Sequence, residues 1–190
     1  MAKFFDQIEP ALIAFIGRQH IFFTATASAG TRINLSPKGA DCLRVLDANQ
    51  VVYLDQTGSG NETAAHVRND GRLTIMFCAF EGAPMILRLY GKGRVIPRAS
   101  SEYATLLETR YASAEPLGAR QMIGLTVESV QTSCGYAVPL MDYQEDRKVL
   151  EAWAERKGPD GIQAYWQEKN LATIDGLPTG MDQDLSIAAE

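Results

Sequence analysis

Hydrophobic positions along most of this chain follow the two-residue period of β-strands. Seven runs are either apolar or alternate between apolar and polar residues, and turn residues separate them. They are HIFFTATAS, TRINLSP, CLRVLD, VVYLD, RLTIMFCAF, MILRLYGKGRVIP and QMIGLTVESVQTS. CLRVLD and VVYLD are joined by the short turn ANQ, which predicts a hairpin. The sixth run is expected to bend at Gly91 and Gly93, as strands do at the corners of barrels.

Helical spacing is confined to shorter segments. An opening helix is indicated by four apolar residues that would share one face, with a proline in its first turn: Ile8, Leu12, Phe15, Ile16 and Pro10. Further helices are predicted at 62–68, 100–113, 142–157 and 160–170.

Capping signals set the boundaries predicted near the C-terminus. Asp142 and Glu145 form a capping box that would open a helix, and Gly158–Pro159 would end it and start the next one. The tail from residue 171 shows little pattern beyond a Gly-Leu-Pro turn. It is expected to be loosely held.

The order of these elements predicts a mainly β protein with flanking helices. Six or seven short strands, two brief helical interruptions and a helical C-terminus are typical of a closed or partly closed β-barrel with helices packed outside. Strands and helices do not alternate regularly, which argues against a doubly wound sheet. A chain of 190 residues is expected to form one domain.

Composition and charge narrow the range of partners. The chain is 46% hydrophobic and 22% charged, and no run approaches the ~18 apolar residues of a membrane span. The net charge of the whole chain is −5, and residues 142–190 hold 5 basic and 11 acidic side chains. General nucleic-acid binding, which needs a basic surface, is therefore not expected. A cluster of basic residues leaves room for one local anionic ligand: Arg88, Lys92, Arg94 and Arg98.

The expected compartment is the cytoplasm. Asp6 and Glu9 precede the first apolar stretch, and no small-residue cleavage site follows, so the N-terminus does not look like a secretion signal. The three cysteines, Cys42, Cys78 and Cys134, are scattered and odd in number, which does not make a disulfide framework.

The stretch TGSGNETAAHV, residues 57–67, is the first candidate for chemistry. It matches neither a P-loop, because the lysine is missing, nor the dinucleotide fingerprint, because the third glycine is missing. Its hydroxyls, the Asn61 amide and free backbone N–H groups precede a helix, where a phosphate can bind. A capped turn without a ligand is the alternative. His66 could face the same site or water.

RINLSPKG and QTSCGYAVP are the other two candidates. Asn34, Ser36 and Lys38 alternate with apolar residues, so one strand face is polar and meets either solvent or a polar ligand. Cys134 has no cationic neighbour in sequence and is expected to be a small packing residue. His20 is expected to be structural. No spacing suits a metal site or a catalytic triad, so a cofactor is expected to supply the chemistry.

Several motifs together resemble the FMN-binding split-barrel family of pyridoxamine 5′-phosphate oxidase. They are FFTATASAGTRINLSPKG, VVYLDQTGSGNETAAHV and GRLTIMFCAFEGAPMILRLYGKGRVI, followed by QTSCGYAVP and IDGLPTG. The resemblance implies a six-stranded antiparallel split barrel over residues 1–141, with 142–190 as a helical, acidic extension packed on the same domain. It also implies a homodimer with two FMN sites at its interface.

Carried over by position, the resemblance implies a set of FMN-binding residues. Arg32 to Ser36 would lie along the isoalloxazine ring, Lys38 would stand near the flavin or its phosphate, and Ser59, Asn61 and Thr63 would hold the phosphate. The whole set is Arg32, Ile33, Asn34, Leu35, Ser36, Lys38, Ser59, Gly60, Asn61, Thr63, His66, Ser133, Cys134, Gly135 and Tyr136.

The sequence departs from true pyridoxamine phosphate oxidases in two ways. Arg32 and Lys38 are one residue further apart than in the Arg-x-Val-Leu-Leu-Lys strand, and the C-terminal substrate-phosphate motif is absent. The resemblance therefore favours an FMN-dependent oxidoreductase acting on an unidentified small molecule. Two alternatives stay open, namely a flavin-storage protein without its own substrate and a split barrel that holds deazaflavin or haem.

Overall fold

The computed structural model describes residues 2–187 and shows one antiparallel sheet with five helices in that range. The strands are β1 (Lys3–Phe5), β2 (Phe22–Thr26), β3 (Asn34–Lys38), β4 (Leu43–Asp47), β5 (Gln50–Gln56), β6 (Arg72–Cys78), β7 (Ile86–Pro97) and β8 (Ala119–Ser133). The helices are α1 (Pro10–Ile16), α2 (Glu62–Asn69), α3 (Ser101–Tyr111), α4 (Val149–Lys169) and α5 (Met181–Ile187). The predicted mainly β fold with flanking helices is confirmed.

The strand order across the sheet is β3, β2, β6, β7, β8, β5, β4, and every neighbouring pair is antiparallel. All seven strands predicted from the hydrophobic pattern are present. The eighth, β1, pairs with the end of β8. Its three residues are too few to show a period in sequence.

The long strand β7 is irregular where the sequence places two glycines. Its pairing with β8 shifts register between Tyr90 and Gly91, which marks a β-bulge. A Cβ atom at Gly91 would lie 1.9 Å from the carbonyl oxygen of Thr126 on β8. At Gly93 it would lie 2.7 Å from a methyl group of Val67 on α2. Both positions therefore require glycine because another segment approaches the backbone closely.

The two ends of the strand order come close together, as in a split barrel. Lys38, the last residue of β3, lies near Asp55 on β5, with 3.3 Å between Nζ and Oδ1. The chain turns from β3 to β4 through Ala40 and Asp41, whose φ angles of 57° and 48° lie in the left-handed region. This tight turn brings β4 back against β5.

The main core fills the space between the curved sheet and α1. The four apolar residues predicted to share a face near the N-terminus are all buried: Ile8, Leu12, Phe15 and Ile16. In the sheet, the ring of Phe22 lies 5.6 Å from that of Tyr53 and 5.7 Å from that of Phe77. Burial of these large side chains stabilises the barrel, at about 25 cal/mol per Å² of apolar surface removed from water.

The helix predicted from the Asp142–Glu145 capping box begins later than expected. The residues before Val149 are not helical, and α4 starts there. Tertiary contacts hold this segment in an extended form: the Tyr143 amide donates to the Glu81 carboxylate at 2.9 Å, and the Tyr143 ring stacks on His20 at 3.6 Å. These contacts outweigh the local capping signal.

The predicted break at Gly158 is confirmed, because its φ of 65° interrupts α4. The expectation of a loosely held tail is wrong for residues 171–187. A β-bridge joins Ala172 to Pro178, and Met181 is buried. The tail therefore packs as an ordered segment.

A second, smaller core lies under α4. Ala154, Ile162 and Trp166 from α4 bury their side chains together with Met181 from α5. Neither α4 nor any other helix within residues 2–187 is long and apolar enough to cross a membrane.

Candidate functional site

Strand β3 turns its polar side chains toward the interior of the barrel. Asn34, Ser36 and Lys38 are half-buried, whereas Leu35 is 65% exposed and Ile33, just before the strand, is 78% exposed. The sequence left open whether this polar face meets solvent. It faces the interior, next to buried polar groups of β2 and α2.

The first group of buried polar side chains joins β2, β3 and α2. We call it the His66 network, and its members are Thr26, Asn34, Thr63 and His66. Asn34 Nδ2 lies 3.0 Å from Thr26 Oγ1 and 3.0 Å from Thr63 Oγ1, and donates to both. Thr26 Oγ1 lies 3.0 Å from His66 Nδ1. The polar face of RINLSPKG and the start of the NETAAH helix are thus in direct contact.

The second group, the Asp55 network, lies beside the first and contains an ion pair. Its members are Lys38, Asp55, Asn61, Arg120, Gln121 and Asn170. Arg120 Nε donates to Asp55 Oδ2 at 2.8 Å, and both side chains are buried. Gln121 Nε2 lies 2.9 Å from the same carboxylate oxygen and 2.8 Å from Asn61 Oδ1. The carboxylate on β5 is therefore connected through Gln121 to Asn61, the residue just before α2.

The charge of Asp55 is stabilised by its neighbours. Burial alone would raise the pKa of this carboxyl, but the charges of Arg120 and Lys38 and the hydrogen bonds from Arg120 and Gln121 lower the pKa to about 2. Asp55 is therefore ionised at neutral pH and acts as a fixed anion rather than as a proton donor.

Acid is expected to weaken the fold through Asp55. Because its folded-state pKa lies below the ordinary value of 3.8, its contribution to the free energy of unfolding is complete above about pH 4 and is lost as the pH falls through about 2. The shift corresponds to on the order of 2 kcal/mol. Urea unfolding of the wild type and of Asp55→Asn, measured from neutral to strongly acidic pH, tests this. Equal losses in both proteins would contradict it.

The loop between β5 and α2 is held in place by the C-terminal segment. Trp166 Nε1 donates to Thr57 Oγ1 at 2.7 Å, and the Thr57 hydroxyl donates to the Gly118 carbonyl at 2.7 Å. Asn170 Nδ2 donates to the Gly58 carbonyl at 3.1 Å. Arg120 Nη1 bridges the Gly60 carbonyl and Asn170 Oδ1, at 2.9 Å and 2.8 Å. The carbonyl groups of this loop are thus fixed by buried side chains.

Three buried polar atoms in this region have no hydrogen-bond partner among the described residues: Tyr53 Oη, Asn61 Nδ2 and His66 Nε2. The Tyr53 hydroxyl faces Thr63 without reaching hydrogen-bond geometry. Because the Thr26 hydroxyl already accepts from Asn34, its hydrogen can be donated to His66 Nδ1, which places the ring proton on Nε2. The region therefore has three unused donors, whose burial without partners costs stability.

The remaining residues of the predicted set lie further out. Ser59 is exposed, and it faces α4 rather than β3. Arg32 is exposed; its guanidinium group forms an ion pair with Asp175 in the tail, and its backbone amide donates to the same carboxylate at 2.8 Å. Ser133–Tyr136 follow the end of β8 opposite to Arg120, so a single chain does not bring them to β3. The expectation that Cys134 is a packing residue is wrong, because its side chain is exposed.

Sequence reasoning missed five members of the two networks: Thr26, Asp55, Arg120, Gln121 and Asn170. The sequence carries a signal for two of these five residues, Asp55 and Thr26. Asp55 ends the apolar run VVYLD and places a charge on the strand face of Val51 and Tyr53, and Thr26 shares the face of Phe22 and Thr24 in FFTAT. The bonds of Arg120 and Gln121 to Asp55, and of Arg120 to Asn170, span 50 to 66 positions and depend on strand register.

Two of the four residues in the predicted basic cluster have acidic partners. Arg94 and Arg98 form ion pairs with Glu102 and Glu115, and Arg88 donates to Ser133. These partners neutralise the two arginines. Among residues 2–187, no group of three histidine, cysteine or acidic side chains could hold a metal ion.

Comparisons with known proteins agree with this architecture. The family model described as pyridoxamine 5′-phosphate oxidase matches residues 8–134. The pyridoxamine 5′-phosphate oxidase family protein ustO of Aspergillus flavus is 37% identical over 194 residues, covering 94% of this chain and 78% of that protein.

Two solved structures share the fold at low sequence identity. HupZ of Group A Streptococcus has a TM-score of 0.53 and 19% identity, covering 65% of this chain and 91% of that chain. A Lactobacillus delbrueckii protein provisionally named pyridoxamine 5′-phosphate oxidase has a TM-score of 0.52 and 15% identity. The match covers 66% of this chain and 94% of that chain. Together with the match over residues 8–134, the observed sheet and the 37% identical relative show that the chain belongs to the pyridoxamine 5′-phosphate oxidase family.

Proposed function

We propose that this protein binds FMN along β3 and the start of α2, and that it is an FMN-dependent oxidoreductase acting on a small molecule in the cytoplasm. The observation that carries the proposal is the contact of Asn34 with Thr63 beside the unused donors of Asn61 and His66. FMN presents phosphate and carbonyl oxygens, which accept hydrogen bonds. Such oxygens would satisfy donors that the chain alone leaves without partners.

The exposed side of β3 suits the apolar ring of a flavin. Ile33 and Leu35 project outward, and the adjacent polar residues stay on the inner face. Packing of a planar ring on such a surface supplies most of the binding free energy of a flavin-sized ligand, at about 0.3 kcal/mol per non-hydrogen atom. The polar groups then fix its orientation.

A homodimer would complete this site. Large apolar side chains are exposed both on β3 and in the segment after β8, including Tyr136, Leu140 and Met141. Covering such side chains is a common reason for association. A second copy on this face would bring Ser133–Tyr136 of one chain to β3 of the other. Light scattering that finds a monomer at micromolar concentration would contradict this part of the proposal.

Bound FMN would supply hydride exchange, which protein side chains cannot perform. The residues of this chain would bind and orient the flavin and its partner. Asp55 is unsuited to acid–base work because Arg120 and Lys38 hold it as an anion. Asn34 and Ser36 lie on the inner face of β3, behind the ring surface at Leu35, so they would position the strand rather than contact the ring.

An absorbance spectrum of the purified protein, with identification of whatever denaturation releases, tests the cofactor. Oxidised flavin bands with release of FMN are the expected result. Asn61→Ala removes one unused donor and should weaken FMN binding by about tenfold or more, since a hydrogen bond to a charged group contributes about 1.5–3 kcal/mol. Asn69→Ala, at the other end of α2, is the matched control and should bind FMN as the wild type does.

Two outcomes would overturn the proposal. A colourless protein that takes up no added FMN would exclude FMN as the ligand, and a haem or deazaflavin spectrum would identify another one. If the spectrum is that of haem, His66 is the residue to substitute, because haem would need an axial ligand. The Nε2 atom of His66 is buried. A protein that binds FMN but turns over no reduced flavin with NAD(P)H or a dye would be a storage protein rather than an oxidoreductase.

A further inference from the structure

A cavity lies between the Thr57–Ser59 loop and part of α4, beside the contact between Trp166 and Thr57 and on the side of the loop away from β3. We call it the α4 cavity. It has a volume of about 470 Å³, which lies within the usual range for small-molecule sites. Besides the loop, its main lining residues are Arg147, Leu150, Trp153, Arg156 and Tyr165.

The lining of the α4 cavity is cationic. Arg147 and Arg156 form no ion pair or hydrogen bond with any residue in the part of the chain that the structure describes. No carboxylate is among the lining residues, although the surrounding segment 142–190 holds 11 acidic residues. Two unneutralised guanidinium groups that face one cavity favour an anionic ligand.

The cavity also has aromatic walls. The rings of Trp153 and Tyr165 meet edge to face with 5.2 Å between their centroids. Lys157 Nζ lies 5.9 Å from the first ring and 5.6 Å from the second, which adds positive charge beside them. Such walls favour a ligand that has a planar ring as well as a charge.

The loop wall of the cavity is rigid. Thr57 is bonded to both Trp166 and Gly118, and the Gly58 carbonyl accepts from Asn170. Ser59 is exposed, and its hydroxyl has no partner within residues 2–187. A wall that is already ordered loses little conformational entropy when a ligand binds.

From these observations we infer that the α4 cavity is a second ligand site, which binds a nucleoside phosphate with its phosphate near Arg147, Arg156 and Ser59 and its base against Trp153 and Tyr165. The ligand chemistry fits a free mononucleotide and the adenylate part of a dinucleotide equally. This site is distinct from the one proposed for FMN, because Asn61, Thr63 and His66 face β3 and the barrel interior instead.

Calorimetric titration of the purified protein with AMP, adenosine and NADPH tests this inference. AMP should bind about tenfold or more tightly than adenosine, which lacks the phosphate. The double variant Arg147→Ala/Arg156→Ala should lose this preference and bind AMP at least about tenfold more weakly. Tighter binding of NADPH than of AMP would identify a dinucleotide as the ligand. Equal affinity for NADPH and AMP would identify a mononucleotide.

Controls separate this site from the flavin site. Arg110→Ala, on the exposed face of α3, should bind AMP as the wild type does. FMN uptake should be the same in the double variant and the wild type. Failure of the wild type to bind AMP or NADPH at millimolar concentration would overturn the inference, and so would a double variant that loses FMN instead. A protein that binds AMP but no FMN would overturn only the flavin proposal.

Discussion

Replacing Arg120 with leucine is expected to lower the free energy of unfolding by about 3–5 kcal/mol, because it leaves the buried carboxylate of Asp55 without its main counter-ion. Arg120 also donates to the Gly60 carbonyl and to Asn170, so the substitution removes the bonds that tie the loop to the C-terminal segment. Urea denaturation at neutral pH gives the size of the loss.

An exposed ion pair provides the comparison. Arg72 pairs with Asp70 at the start of β6, and Arg72→Leu should change the free energy of unfolding by less than about 1 kcal/mol. A double variant, Asp55→Leu with Arg120→Leu, should recover part of the loss, since no unpaired charge remains in the interior. If Arg120→Leu proves no worse than Arg72→Leu, the buried pair contributes little to stability.

Replacing Gly91 with alanine is expected to cost about 3 kcal/mol. The new Cβ would lie 1.9 Å from the Thr126 carbonyl oxygen. Neither atom can rotate away, because the backbone fixes the position of the Cβ and the oxygen is itself a backbone atom. The long strands β7 and β8 would have to separate at the bulge. Thermal or urea unfolding of the variant measures the loss.

Gly124 provides the matched control within the same pair of strands. A Cβ there would meet the side chains of Arg94 and Ile96, at 3.5 Å and 3.6 Å, which are ordinary contacts. Gly124→Ala should therefore leave stability unchanged or raise it by up to about 1 kcal/mol, because it restricts the unfolded chain. A loss at Gly124 as large as at Gly91 would show that the close approach to Thr126 is not the cause.

Local patterns were sufficient to predict much of the fold. The two-residue period located seven of the eight strands found within residues 2–187, and alternation in RINLSPKG correctly grouped Asn34, Ser36 and Lys38 on one face. Glycine and proline chemistry located the irregularity at Gly91 and the break at Gly158. Each of these features depends on residues within a few positions of one another.

Features that depend on distant partners were missed or misplaced. The capping box at Asp142 fails because Tyr143 stacks on His20, more than a hundred positions earlier. Likewise, Arg120 directly precedes the predicted run QMIGLTVESVQTS, and only the register of β8 against β5 places it beside Asp55. At the Asp142 capping box and at Arg120, contacts with residues distant in sequence determine the structure. The local sequence does not indicate these contacts.

Pro37 limits how copies of this chain can meet along β3. This strand lies at the end of the strand order, where unpaired backbone groups could template the addition of another strand. A proline inside a paired strand has its nitrogen turned away from its neighbour, so the open edge lacks one amide hydrogen at Pro37. Edge-to-edge polymerisation into a continuous cross-β ribbon is thereby disfavoured at this strand, which leaves its side chains as the better surface for contact between copies.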